Sequence, residues 1–371
     1  MHIMHIIDSL VPGGAERMLV DIANASAAAG ERVSVCVTRN GLTLAAELRP
    51  DIALLVLNRQ RRIEWGAMRR FAAQVAAAGV DVLHVHGRTS FSFAALIKTL
   101  RLIDRPIVLH DHYGIEMNAA VPRWFRLWGW RLVDQYVGVY PRLVTWAQSA
   151  GVPADRTRSI GNALDFARLS HPVNDLLRRE QAIEPDTRVG IVVGGLRREK
   201  GIELLLTSLV EVDTTVPFVI CIIGKDTDPA YAQACRARAA ELRLDDRVRF
   251  IGERTDAALL AQGADFALMP SRSESGPLVL IEYMAAGLPF VAFQVGSISD
   301  TAADAGVPGF VPPLDTSAFA QAIESLLALS PDERRLRGQH GAQIAGAHFR
   351  IEAKLQAWFA VYRAAIGREK P

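Results

Sequence analysis

The sequence is short of several things, and each shortage excludes a class of function. Its 371 residues hold three cysteines, Cys36, Cys221 and Cys235, too few and too scattered for a disulfide framework or a thiolate metal site. They read as reduced thiols in a cytoplasmic protein. No uncharged apolar run reaches the ~20 residues that span a bilayer, so membrane contact is expected to be peripheral. The opening MHIMHIIDSL lacks a basic region ahead of a long apolar stretch and is interrupted by Asp8. It reads as a strand, not a signal peptide. The formal net charge of +2 gives no pull toward nucleic acid. No G-x-G-x-x-G follows an early strand, which counts against a dinucleotide oxidoreductase. Low-complexity tracts and short repeats are also missing.

What is present is alternation. Short β-branched runs (HIMHII, RVSVCVT, ALLVL, DVLHVHG, PIVLH) are interleaved with longer helical patterns. The scheme restarts after about residue 185 with RVGIVVGG, PFVICIIG, VRFIG and FALMPS. Strands alternating with helices imply parallel sheets covered on both faces. Two such sets predict an α/β chain of two Rossmann-like domains facing each other across a cleft. The expected boundaries are residues 1–165 for the first domain and 166–350 for the second, with a linker at about residues 162–172. Residues 351–371 contain a last helix, IEAKLQAWFAVYRAAI, expected to pack back on the first domain.

The stretch SRSESGPLVLIEYMAAGLPFVAF, 271–293, places Glu282 among Leu278, Val279, Leu280, Ile281 and Met284. An unpaired buried carboxylate is costly, so Glu282 needs a partner or a ligand. Ligands of open α/β sheets sit beyond the carboxyl ends of strands, at helix N-termini suited to phosphate. Here Pro277 is expected as the first helical residue and Gly287 as the stop. Helical side chains lean toward the N-terminus, which aims Glu282 at whatever that helix start holds. A diphosphate there would bring a ribose to Glu282, with Glu274 on the loop reaching the opposite side; a structural ion pair of Glu282 with Arg or Lys is the alternative.

Other stretches converge on the same chemistry. In GGLRREKG, Gly194 and Gly195 permit a tight turn, and Lys200 with Arg197 or Arg198 can neutralise a leaving diphosphate. In PGGAER, Gly13 and Gly14 let backbone approach a ligand. VLHDHYG puts His110, Asp111 and His112 at a strand end, one histidine being a candidate for sugar contact. Asp226–Asp228 reads as a turn and helix cap rather than a metal site.

Together these stretches resemble the retaining glycosyltransferases of family 4, of GT-B architecture, over nearly the whole chain. The resemblance is carried by Gly-Gly-Ala-Glu-Arg, DVLHVHG, NALD, GGLRREKG, ESGPLVLIEYMAAGLPFVA and GFVPPLD. It implies transfer of a hexose-type sugar from a nucleotide diphosphate donor with retention, without metal or cofactor. Glu274 would contact sugar hydroxyls, and Glu282 would bind the donor ribose. Lys200 with the amides after Gly276, those of Leu278 and Val279 beyond Pro277, would hold the diphosphate. Gly14 would shape the donor cleft, and His110 or His112 would contact the sugar. Where the family often has Arg, this chain has Gly195, and Arg197 is the substitute.

The expected acceptor is a cell-surface glycan or a lipid-linked molecule, as in polysaccharide or lipopolysaccharide synthesis. VPRWFRLWGWRL (121–132) and NRQRRIEWGAMRRF (58–71) interleave arginines with aromatics. Such helices suit an anionic surface on the inner face of the cell membrane; the alternative is core aromatics beside a solvated face. A sugar-nucleotide 2-epimerase of the same fold and a non-catalytic nucleotide-sugar-binding protein are the competing functions.

Overall fold

The computed structural model describes residues 1–112, 128–169 and 172–367. Two compact units divide the chain: Met1–Asp165 with Ile351–Pro371, and Phe166–Arg350.

The first unit is built on seven parallel strands: β1 His2–Ile7, β2 Arg32–Val37, β3 Ala53–Val56, β4 Val82–His86, β5 Ile107–Asp111, β6 Gln135–Gly138 and β7 Thr157–Ser159. Their order is β3-β2-β1-β4-β5-β6-β7. Strands β1, β4 and β5 are buried along their whole length. Burial on both faces is why apolar residues occupy both sides of these strands, interrupted chiefly by histidine. Helix Ile351–Ile366 returns to this unit and packs on helix Gly14–Ala28 and on β4, β5 and β6, with Trp358 and Tyr362 fully buried.

The second unit has six parallel strands: β8 Arg188–Val193, β9 Phe218–Ile223, β10 Val248–Gly252, β11 Phe266–Met269, β12 Phe290–Phe293 and β13 Phe310–Val311. Their order is β10-β9-β8-β11-β12-β13. Ile220, Ile222, Phe266, Leu268, Val291 and Phe293 meet helix residues Leu205, Leu209, Phe319 and Ile323 in its core. Asp228 caps helix Pro229–Glu241 by accepting from the Tyr231 amide (3.1 Å), and Ser330 with Glu333 forms a capping box on helix Pro331–His348.

In both sheets the order reverses once, between β1 and β4 and between β8 and β11. The loops leaving neighbouring strands diverge at such a point and open a crevice at the carboxyl edge, where open α/β sheets bind ligands.

Candidate functional site

The loops after β8 and β11 meet at the reversal of the second sheet. Gly201 ends the first loop at φ +64°, and a Cβ there would collide with the Pro270 carbonyl, so only glycine lets the loops close to this degree. The Arg272 amide donates to the Glu199 carbonyl (2.8 Å) and its guanidinium to Glu203 (2.6 Å), pinning the loops together. Gly296 lies at φ +84°, its Cβ position 2.9 Å from the Glu274 carbonyl, and Ser297 N–H and Oγ both donate to the Ser275 carbonyl (2.9 and 3.0 Å). The β11 loop is therefore held from both sides.

That scaffold joins two residues 74 positions apart. Lys200 Nζ donates to Glu274 Oε1 at 2.7 Å, and Ser271 Oγ donates to the same oxygen at 2.9 Å. The ammonium and carboxylate are 19% and 13% exposed, enough to reach a ligand and little enough for the contact to be only weakly screened. Sequence reasoning missed Ser271; its position three residues before Glu274, buried in the same loop, was the available signal.

Arg197 pairs with Glu199 at 3.7 Å and is half exposed. A Cβ at Gly195 would press on the Thr227 hydroxyl and lie 3.7 Å from the Lys225 carbonyl. Arg254 is engaged by Glu180 (2.7 Å) and Asp256 (2.8 Å).

Helix Leu278–Ala285 begins one residue later than expected, with Pro277 in the capping position. Gly276 and Pro277 are buried, and Gly287 at φ +68° ends the element. The first N–H groups of a helix lack intrahelical acceptors and carry partial positive charge. The premise that Glu282 is buried is corrected here. Leu280, Ile281 and Met284 turn into the core, whereas Leu278, Val279 and Glu282 share a half-exposed face, as residues three and four apart must. Glu282 is 27% exposed, with Oε1 3.6 Å from the Arg168 guanidinium. A narrow crevice lined by Leu169, Val193, Ala257, Ala261 and Tyr283 runs beside it. The Tyr283 hydroxyl accepts from the Val193 amide (2.8 Å), tying this helix to the end of β8.

Gly13, Gly14, His110 and His112 belong to the first unit. Gly13 precedes helix Gly14–Ala28 as its extended cap. His110 and Asp111 point to opposite faces of the sheet, as successive residues of a strand do. Asp111 accepts from Arg88 (3.0 Å) and Tyr136 (2.8 Å). His110 instead meets His84, Nδ1 to Nε2 at 3.2 Å, and is fully buried. His112 is half-buried and meets His86 at 3.2 Å. His5, His84 and His86 complete the cluster; the close histidine spacing in HVH and HDH was its trace in the sequence. Burial lowers His5 and His112 to about 3. Burial, then neighbouring imidazoles, holds His84, His86 and His110 well below the ordinary range. The basic stretch 121–127, with Arg123, Trp124, Phe125 and Arg126, lies outside the described residues.

A family model described as Glycosyl transferases group 1 matches residues 173–341, and one described as Glycosyltransferase Family 4 matches residues 12–168. The chain is 32% identical over 193 residues to a D-inositol 3-phosphate glycosyltransferase from Segniliparus rotundus, a match spanning 51% of this chain and 42% of that one. Its likeness to the protein of the same name from Corynebacterium efficiens is 32% over 330 residues, 83% of this chain and 76% of that one. In fold it is similar to the crystal structure of Anabaena HepE in complex with UDP and glucose, with TM-score 0.79, 22% identity and coverage of 97% and 98%.

Proposed function

The chain belongs to glycosyltransferase family 4, and from that premise we propose that it moves a hexose-type sugar, with retention and without metal, from a nucleotide diphosphate donor. The observation that carries this reading is the Lys200–Glu274 contact at the sheet reversal, beside the start of helix Leu278–Ala285. Lys200 and the backbone N–H groups of Gly276, Leu278 and Val279 receive the departing diphosphate, Pro277 having no N–H to offer, and cation and helix dipole stabilise the charge that develops on leaving. Glu274 contacts sugar hydroxyls. Glu282 exchanges its loose 3.6 Å partner Arg168 for the ribose hydroxyls. Arg197 adds a second cation, and Gly13 and Gly14 keep backbone open to the donor. Of the two candidate histidines, the half-buried His112 is better placed to touch sugar than the fully buried His110. The leaving phosphate oxygen takes the proton of the acceptor hydroxyl.

The acceptor is proposed to be a surface glycan or lipid-linked molecule reached at the inner face of the cell membrane. No described helix is long and apolar enough to cross a bilayer. Ile63 and Trp65 are 57% and 54% exposed, next to exposed Arg61, Arg62 and Arg69, which suits a peripheral contact with anionic lipid. Arg59 is excluded from that patch: it is buried, 3.1 Å from Asp8 and stacked over Phe93. A phosphorylated polyol, as the relatives' name states for them, is the other acceptor class to try. The test is a binding screen of UDP, GDP and ADP, followed by transfer assays with the sugar nucleotides of whichever binds. A saturable nucleotide and acceptor-dependent sugar transfer are expected. A new sugar nucleotide formed without acceptor would make the protein an epimerase.

A further inference from the structure

The first unit carries a feature that sugar transfer leaves largely unused: five imidazoles on one face of three adjacent strands. Register sets His5 opposite His84 and His86 opposite His110, and the two-residue period adds His112 to the same face. Trp358 lies 4.7 Å from the His84 ring and 4.6 Å from that of His110. Rings this close cannot all be protonated, so each neutral ring supplies one N–H and one lone pair. Two chains result. One runs from the Tyr362 hydroxyl to His84 Nδ1 (2.8 Å) and from His84 Nε2 to His110 Nδ1 (3.2 Å). The other runs from His5 Nδ1 to His86 Nε2 (3.0 Å) and from His86 Nδ1 to His112 Nε2 (3.2 Å). The outer nitrogens, Nε2 of His110 and of His5, are buried without a partner among the described residues.

We propose that His86, His110 and His112 bind a divalent transition-metal ion of the zinc class, with His5 and His84 orienting two of the three ligands. Ligand atoms of the trio lie within 4.8 Å of one another. The 3.2 Å between His86 Nδ1 and His112 Nε2 nearly equals the ~3.3 Å edge of a tetrahedron whose metal–nitrogen bonds are ~2.0–2.1 Å. An ion there replaces that hydrogen bond, takes the unpartnered His110 Nε2 and keeps a fourth position for water.

The tautomers agree with this. His86 donates Nε2–H to His5, and His110 donates Nδ1–H to His84, so both ligands have their second nitrogen held, as ligating imidazoles require. A second trio, His5, His84 and His86, is equally compact but poorer. Both nitrogens of His84 are engaged and all three rings are buried, whereas His112 of the first trio is only half-buried. A set of neutral nitrogens with Asp111 turned away favours zinc, cobalt, nickel or copper over magnesium or calcium. Such an ion would occupy His112 and oppose donor binding, a consequence that rests on the proposed function; the metal site itself does not.

The test is titration of chelator-stripped full-length protein with Co²⁺, read by visible ligand-field absorption, then displacement by Zn²⁺. One tightly bound equivalent with the intense absorption of low coordination is expected. His112→Ala should weaken binding by more than the roughly 10–100-fold caused by loss of an orienting partner, and His348→Ala should leave it unchanged. Thermal unfolding of the apo proteins checks that His112→Ala folds. Wild-type protein that binds no more cobalt than His112→Ala holds an adventitious ion only, and the proposal fails. Tight metal binding that leaves nucleotide-sugar affinity unchanged would sustain the metal site and remove His112 from sugar contact.

Discussion

If Lys200 receives a diphosphate, it must be drawn from Glu274, whose Oε1 it holds at 2.7 Å in competition with the Ser271 hydroxyl. Removing either partner then has opposite effects on nucleotide affinity. A charge-assisted hydrogen bond contributes about 1.5–3 kcal/mol, so Lys200→Ala should raise the Kd of the preferred nucleoside diphosphate by roughly 10–150-fold. A carboxylate ~6 Å from a phosphate repels it by about 0.7–3 kcal/mol at effective dielectric constants of 80 to 20. Glu274→Gln should therefore tighten the free nucleotide at least about threefold, while transfer slows because the sugar contact is altered. Calorimetric titration of the two variants and wild type measures the affinities, and single-turnover transfer measures the rate. A purely structural pair would weaken binding in both variants by loosening the same loop. Equal losses, or a Lys200→Ala Kd within about twofold of wild type, would refute the reasoning.

Gly201→Ala should lower the thermal midpoint through its positive φ alone, which costs about 1–2 kcal/mol for an L residue, and the clash with Pro270 should also reduce nucleotide binding. Trp358→Ala, which empties a fully buried site against His84 and His110, should cost about 3–5 kcal/mol in denaturant titration. Burial raises the pKa of Glu16, only partly offset by a backbone hydrogen bond, so the folded state binds its proton more tightly than the unfolded state. Stability is then lost as pH rises through that range. Glu16→Gln should raise the thermal midpoint at neutral pH, with the gain vanishing in acid, where the carboxyl is protonated in both states; an unchanged difference across pH would contradict this.

The alternation of β-branched runs with helical patterns made both parallel sheets legible, because strands covered on two faces are mostly apolar. The Asp228 cap and the Gly287 stop were legible too, since each is decided within a few residues. Glu282 was harder. A mostly apolar helix reads as buried all round, and only the positions of its neighbours showed that Glu282 lies on the half-exposed side with Arg168 near it. The histidine cluster escaped for a related reason: each pair is visible in its own strand, but the register that sets His86 opposite His110 is not.

Local chemistry thus determined the elements, their caps and the residue types present in the connecting loops, because these depend on short-range sterics and apolar periodicity. Only the tertiary structure decided that Lys200 and Ser271 share one oxygen of Glu274, that Asp111 turns from its neighbouring histidines, and that five imidazoles lie on one sheet face. Those contacts depend on strand order and register, which are set by how whole elements pack and are written in no single stretch of chain.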